Sequence, residues 1–87
     1  MPAVARIGDT SNHGGIIISG SSEVFAQGLG VARKGDLHSC PIPGHGITPL
    51  ISASQDVAAQ GLGVVRIGDE AGCGAIIISG SSSVFAN

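Results

Sequence analysis

Short apolar runs alternate with glycines and small polar residues along the whole chain. The longest runs of large apolar residues, residues 16–18 and 76–78, are each three isoleucines, and no apolar pattern of helical period lasts for about 11 residues. Gly-Ser and Gly-Leu-Gly interrupt the β-branched runs, and Gly-Asp ends each one. Because β-branched residues favour strands and glycines favour tight turns, the pattern predicts repeated units of strand, turn, strand, turn and strand.

The unit occurs three times. Residues 18–36 return with few changes at residues 51–69, and residues 8–26 return at residues 68–86. The last copy stops at Asn87. A short Arg-x-Gly-Asp signature marks each copy, at residues 6–9, 33–36 and 66–69.

Strands this short are not stable alone, and repeats of this kind bury their apolar faces against one another. We therefore expect one all-β domain over residues 1–87, folded as a compact pseudo-threefold β-cone of three short repeats. Glycines permit the sharp bends that such a cone needs at its corners. A conventional sandwich, with the repeats as hairpins, is the alternative.

Composition narrows the function classes. A chain of 87 residues has a thin core, so it usually needs a metal, disulfides or a partner. Its formal net charge of -2 and its lack of Tyr and Trp argue against nucleic-acid binding. No apolar run approaches the length of a bilayer span, and the N-terminal residues do not resemble a signal peptide.

All three histidines and one cysteine fall in two loops that the repeat brings to the same end. His38, Cys40 and His45 lie in residues 37–49, an insertion without a match in the first unit, and His13 lies in the corresponding loop of that unit. Zinc prefers four tetrahedral nitrogen and sulfur ligands, and these four side chains complete that shell. We therefore predict a zinc ion that pins the domain.

Other interpretations of these residues stay open. In the simplest interpretation, the histidines are surface residues and the thiol of Cys40 is structural. In another, Cys40 and Cys73 form a disulfide. Cys73 aligns with His13 across the repeat and is a further candidate ligand. A lone cysteine between glycines is more often a small buried apolar residue, so Cys73 is left outside the predicted shell.

Catalysis is not expected. A catalytic zinc keeps an open coordination position and usually has a carboxylate nearby, whereas four ligands close the shell and no Asp or Glu lies within residues 38–45. A small zinc-dependent hydrolase is the enzyme alternative, and a free-standing adhesin is a third class. The repeated Arg and Asp side chains are expected to form internal ion pairs and turn hydrogen bonds.

Symmetry also suggests a partner. A single chain with three similar edges is suited to cap the end of a homotrimer, whose strand edges need a cover. One copy would bind one trimer, through the face opposite the metal.

The chain resembles the PAAR-repeat family. Residues 2–9, Pro-Ala-Val-Ala-Arg-Ile-Gly-Asp, are similar to the signature that names the family, with Val4 inserted. The later Arg33-Lys34-Gly35-Asp36 and Arg66-Ile67-Gly68-Asp69 resemble its internal copies. The segments at residues 11–28 and 73–87 also match the family pattern.

The resemblance implies a sharp tip on the trimeric VgrG spike of a type VI secretion system, or on a related phage-tail spike. The implied zinc ligands are His13, His38, Cys40 and His45. The tip would be cytoplasmic before firing and secreted afterwards, with transient contact with the target membrane. The chain is expected to be a bare tip without a fused effector. The resemblance leaves open the parent machine and whether a separate effector docks on the cone.

Overall fold

The computed structural model describes residues 2–87, and Met1, which the predicted domain includes, lies outside the described residues. Every regular element among residues 2–87 is a strand, which confirms the all-β prediction. No helix in this part of the chain is long and apolar enough to cross a membrane. The strands are β1 (Ile16–Ile17), β2 (Phe25–Ala26), β3 (Leu29–Gly30), β4 (Leu37–Cys40), β5 (Gly46–Pro49), β6 (Ala58–Ala59) and β7 (Leu62–Gly63).

The strands form one small sheet and two hairpins. Strand β4 lies between β1 and β5 and is antiparallel to both. The hairpins β2–β3 and β6–β7 are each closed by Gln-Gly, with φ of 52° at both Gln27 and Gln60. Successive positive φ angles, 52° followed by 81° at Gly28 in the first hairpin, match the twist of two-residue hairpin turns.

Three equivalent backbone segments close a ring through the middle of the molecule. The amide of Ala5 donates to the carbonyl of Val65 at 2.8 Å, Val65 donates to Ala32 at 2.8 Å, and Ala32 donates back to Ala5 at 2.9 Å. All three residues are fully buried. A closed ring of three identical bonds is what a pseudo-threefold unit requires, and overall dimensions of 32 × 23 × 20 Å are consistent with the predicted cone.

The Arg-x-Gly-Asp signature is a turn that each unit repeats. In the first unit the Asp9 carboxylate accepts from the Arg6 amide at 2.7 Å and from the Arg6 Nε at 2.9 Å. The same two distances recur in the second and third units. The glycine between them has a φ near 90°, which a side chain would strain. The predicted internal ion pairs are therefore confirmed.

The two ends of the chain pair with each other and form a third two-stranded unit, which we call the third hairpin because it is equivalent to β2–β3 and β6–β7. The amide of Ala86 donates to the carbonyl of Pro2 at 3.0 Å, and that of Val4 donates to Val84 at 2.9 Å. Ala3 and Phe85 pair between them, as Gly30 and Phe25 do in the first hairpin. The repeat that stops at Asn87 is thus completed by the first residues of the chain.

Packing divides the molecule into tiers. Small apolar residues, among them Ala26, Ala59 and Ala86, fill the hairpin tier. On the other side of the ring from the hairpins, Ile17, Leu50 and Ile77 occupy equivalent positions and fill a second tier. The loops that follow each Asp lie beyond this tier, so the chain of each unit runs from its hairpin through the ring to the loop end.

Candidate metal centre

Four side chains meet at the loop end. The ligand atoms of His13, Cys40, His45 and Cys73 all lie within 4.8 Å of one another. Cys40 Sγ is 3.4 Å from His45 Nδ1 and 3.8 Å from His13 Nδ1. Zinc bonds of about 2.0–2.3 Å give a tetrahedron with edges of roughly 3.3–3.8 Å. The donors and their spacing therefore fit a tetrahedral metal ion.

Two matching turns hold His13 and Cys73. The amide of Gly14 donates to the Ser11 carbonyl at 3.0 Å, and the amide of Gly74 donates to the Ala71 carbonyl at 2.9 Å. Both glycines have positive φ, 81° and 91°. A residue with left-handed backbone conformation directly after the candidate ligand turns the chain sharply. The side chains of His13 and Cys73 therefore leave their turns in the same way.

The inserted loop supplies the other two donors. Cys40 ends β4 and pairs with Gly46, the first residue of β5, so the intervening loop begins and ends beside the thiol. The His45 amide donates to the Ile42 carbonyl at 3.0 Å and closes a turn within that loop. The loop thus turns His45 back toward Cys40. Cys40 is buried, and the other three side chains are half-buried.

The structure brings three of the four predicted zinc ligands together, with Cys73 beside them. The fourth predicted ligand, His38, is fully buried, and its Nε2 lies 2.8 Å from Ser11 Oγ. Its Nδ1 is 4.0 Å from Cys73 Sγ, so it borders the cluster. A shell of His13, His38, Cys40 and His45 therefore stays a prediction.

Sequence reasoning left Cys73 out of the shell, although the sequence contained a signal for it. Cys73 is the fourth residue after Asp69, as His13 is the fourth after Asp9. Cys40 stands at the same distance from Asp36. The six extra residues of the second loop follow Cys40, so this spacing survives the insertion.

Burial shapes the electrostatics at the site. It lowers the pKa of His38, and repulsion from His13 lowers it further. Burial raises the pKa of the Cys73 thiol, but hydrogen bonds from the Ala75 amide and neighbouring side chains outweigh it, so the pKa is lowered. Thiolate is the form of cysteine that binds metals, so the lowered pKa of Cys73 favours a metal at this end.

No Asp or Glu belongs to the cluster, and no pocket is found among residues 2–87. The donors are thus two imidazoles and two thiols, with a third imidazole behind them. Such a set suits Zn²⁺ better than a hard cation such as Mg²⁺, which prefers oxygen ligands.

A search among curated proteins found no match to the chain. The model of the PAAR motif family matches residues 7–79, which include the second and third Arg–Asp turns, most of the first, and every candidate ligand. The match covers most of the 87 residues. The chain therefore belongs to the PAAR motif family.

Proposed function

We propose that this protein is the tip of a contractile injection spike, a cap that one chain places on the end of a trimeric VgrG-like protein. The observation that carries the proposal is the closed ring formed by Ala5, Ala32 and Val65. It gives one polypeptide three equivalent faces, which is the symmetry of a homotrimer. Membership of the PAAR motif family supports the same role.

The hairpin end is the proposed docking face. Each unit runs from its hairpin through the ring to the loop end, so the three hairpins lie together at the end remote from the metal cluster. Exposed apolar side chains stand there in related positions: Phe25, Leu29, Leu62 and Phe85. Burial of such side chains against a partner is favourable by about 25 cal/mol per Å². One chain occupies all three edges, so a second copy cannot bind the same end.

The loop end is the proposed piercing end, and zinc is its proposed metal. A structural zinc site contributes on the order of 10 kcal/mol to the folding of a small domain. That is comparable with the whole stability of a typical domain, about 5–15 kcal/mol. Four nitrogen and sulfur donors close the coordination shell, and catalytic zinc needs an open position. The metal is therefore proposed to stiffen the tip and not to catalyse a reaction.

The same role sets the proposed location. The chain would wait in the cytoplasm on the loaded spike and leave with it when the sheath contracts, with a brief contact with the target membrane. Exposed apolar residues outside the hairpin end, such as Ile47 and Ile78, offer a surface to which a separate effector could bind. A secretion system and a phage tail would use the same tip.

Native mass spectrometry of the chain with a trimeric VgrG-like spike tests the proposal. We expect one chain per trimer, and we expect Phe25→Glu to abolish the complex because a charge would be buried against the partner. Ile47→Glu is the matched control, since Ile47 is 60% exposed on β5 near the metal end. That variant should bind normally. A complex of three chains with three would contradict the cap, and so would a complex lost only in Ile47→Glu.

A further inference from the structure

We propose that Ser54, Arg66 and Asp56 form a binding site for a primary carboxamide, the side chain of a Gln or Asn residue of the trimeric partner. The inference rests on the proposed docking of the hairpin end, and it names one chemical group that the partner supplies there. The site has two equivalents in the chain, and in both of them the chain binds its own glutamine.

The two equivalent sites show what the position binds. In both, the glutamine Oε1 accepts from a buried serine hydroxyl and from Nη1 of a signature arginine, at 2.7–3.2 Å. The two sets are Gln27 with Ser81 and Arg6, and Gln60 with Ser21 and Arg33. Each glutamine is the first residue of a hairpin turn, so its side chain enters the site from the hairpin end.

The third position has the same donors but a different residue in place of the glutamine. Ser54 and Arg66 are the equivalents of the serine and the arginine, and Asn87 stands where the other two hairpins have Gln. The Asn87 side chain is one methylene shorter than that of Gln. It makes no hydrogen bond to Ser54 or Arg66 within residues 2–87.

The Ser54 hydroxyl has a hydrogen to donate and no acceptor for it among the described residues. Its Oγ accepts from the amides of Asp56 at 3.1 Å and Val57 at 2.9 Å. Ser21 and Ser81 accept from equivalent amides in the same way. A serine hydroxyl has two acceptor positions and one donor hydrogen, so each of these serines has only its hydrogen left. Because Ser54 is 6% exposed, an acceptor for that hydrogen is worth supplying.

Arg66 is held so that its Nη1 faces the same place. Its Nε and Nη2 donate to the Asp69 carboxylate at 2.9 and 3.0 Å, as the other two signature arginines do to theirs. A guanidinium is planar, so fixing two of its nitrogens fixes the third. In the two equivalent sites Nη1 donates to glutamine, whereas Arg66 Nη1 has no acceptor within residues 2–87.

Asp56 favours a carboxamide over a carboxylate at this site. It is the equivalent of Glu23, whose Oε1 accepts from Gln60 Nε2 at 2.6 Å. The hydrogen bond to Asp69 raises the pKa of Arg66, and the charge of Asp56 raises it further, so Asp56 lies near the guanidinium. A carboxamide donates to Asp56 through its nitrogen while its oxygen accepts from the serine and the arginine. A carboxylate would meet Asp56 with a like charge.

The partner supplies the carboxamide because the site opens on the proposed docking face. Gln27 and Gln60 enter their sites from that end, and Gln55 and Asp56 are exposed beside the buried Ser54. A homotrimer presents the same side chain three times. Two of the three copies meet sites that the chain already fills, so only one subunit of the trimer makes this contact.

Asn87→Gln tests the site in the free chain. The longer side chain should bind as Gln27 and Gln60 do in their sites, and the added hydrogen bonds should raise the Tm by about 4–8 °C. Asn87→Ala is the matched control, since it removes the side chain without filling the site, and its Tm should equal that of the wild type. An unchanged Tm in Asn87→Gln would overturn the proposal.

Nuclear magnetic resonance tests the chemical class with propionamide, which has the end group of a Gln side chain. The reporter is the Gln55 amide, because the equivalent Ser82 amide donates to Gln27 Oε1 at 2.9 Å. Propionamide should shift this signal in the wild type and not in Asn87→Gln. Sodium propionate, the matched carboxylate, should shift it less. Equal shifts in the two proteins, or a larger shift with propionate, would overturn the carboxamide site.

Calorimetry with the trimeric spike tests the source of the carboxamide. Asn87→Gln should bind the trimer roughly tenfold more weakly than the wild type, because its own side chain occupies the site, and Asn87→Ala should bind as the wild type does. Equal affinities of Asn87→Gln and the wild type would overturn the partner's side chain as the ligand. A trimer that does not bind the wild type would overturn the proposed function, while the Tm and the propionamide shifts would still decide the site.

Discussion

The hairpin end and the loop end are made from the same repeat, but only the hairpin end keeps the symmetry. Two hairpins, β2–β3 and β6–β7, have the same length and turn, and the paired chain ends form the third. At the loop end, the second unit has six more residues between its Asp and its core residue than the first unit has. The extra residues carry His45.

The difference in symmetry between the two ends follows from what each end would bind. A homotrimer presents three identical edges, so three identical hairpins suit it. A tetrahedral ion needs four donors, and threefold symmetry supplies them only in threes. One inserted loop resolves that mismatch without disturbing the hairpins, because the ring of Ala5, Ala32 and Val65 lies between the two ends.

Removal of the metal is expected to have the largest effect. A chelator should lower the unfolding free energy by on the order of 10 kcal/mol, enough to unfold a chain with so thin a core. Thermal unfolding followed by circular dichroism, with and without chelator, measures this, and added zinc should restore the wild-type Tm. An unchanged Tm after complete metal removal would show that the loop end does not need an ion.

Asp9→Asn tests the turns between the two ends and should cost about 2 kcal/mol, since Asp9 is buried and makes charged hydrogen bonds. Burial raises the pKa of Asp9, but hydrogen bonds from Arg6 and Ser79 outweigh it and lower the pKa overall. A lowered folded-state pKa stabilises the fold above the ordinary carboxyl pKa of about 3.9. That stability is lost as the pH falls below this value.

Denaturant unfolding of the wild type and of Asp9→Asn, both with bound zinc, from about pH 7 down to the lowest pH at which the zinc stays bound, tests this pH dependence. The difference in unfolding free energy between the two proteins should shrink as the pH falls. Protonation of Asp9 removes its negative charge from the wild type, and the substitution has already removed that charge from the variant. Glu70→Gln is the control, since Glu70 is exposed and makes no ion pair among the described residues. A gap that widens in acid would contradict the assignment.

Gln27→Ala tests the hairpin end and should have the smallest effect, about 1 kcal/mol. The Gln27 side chain accepts from Arg6, Ser81 and the Ser82 amide, so it joins the first hairpin to the third unit. Gln60→Ala should cost a similar amount, because Gln60 joins the second hairpin to Ser21 and Arg33. Clearly unequal costs would show that the hairpins are less alike than their backbones. Equilibrium unfolding in urea measures both variants.

Repetition in the sequence predicted the fold well. It gave the three units, the absence of helices among residues 2–87 and the internal Arg–Asp pairs, because each depends on local turn chemistry that a repeat preserves. It did not show which isoleucine of residues 16–18 faces inward. Alternation decides that: Ile17 is fully buried, and its two neighbours are 45% and 39% exposed.

The candidate site was harder to predict than the fold. Ligand type and proximity along the chain favoured His38, which is two residues from Cys40. Both side chains do face inward on β4, but they occupy successive layers. Depth along the axis is a property of three units packed together, and Cys73 enters the cluster only through that packing.

Closure of the third hairpin by both ends of the chain has a consequence for how the protein forms. Pro2 and Val4 pair with Ala86 and Val84, so the hairpin end is complete only after segments far apart in the chain have met. Contacts this distant in sequence slow folding, because the entropy of a long loop is lost before they form. Pairing of residues 84–86 with residues 2–4 is therefore expected to be a late step in folding.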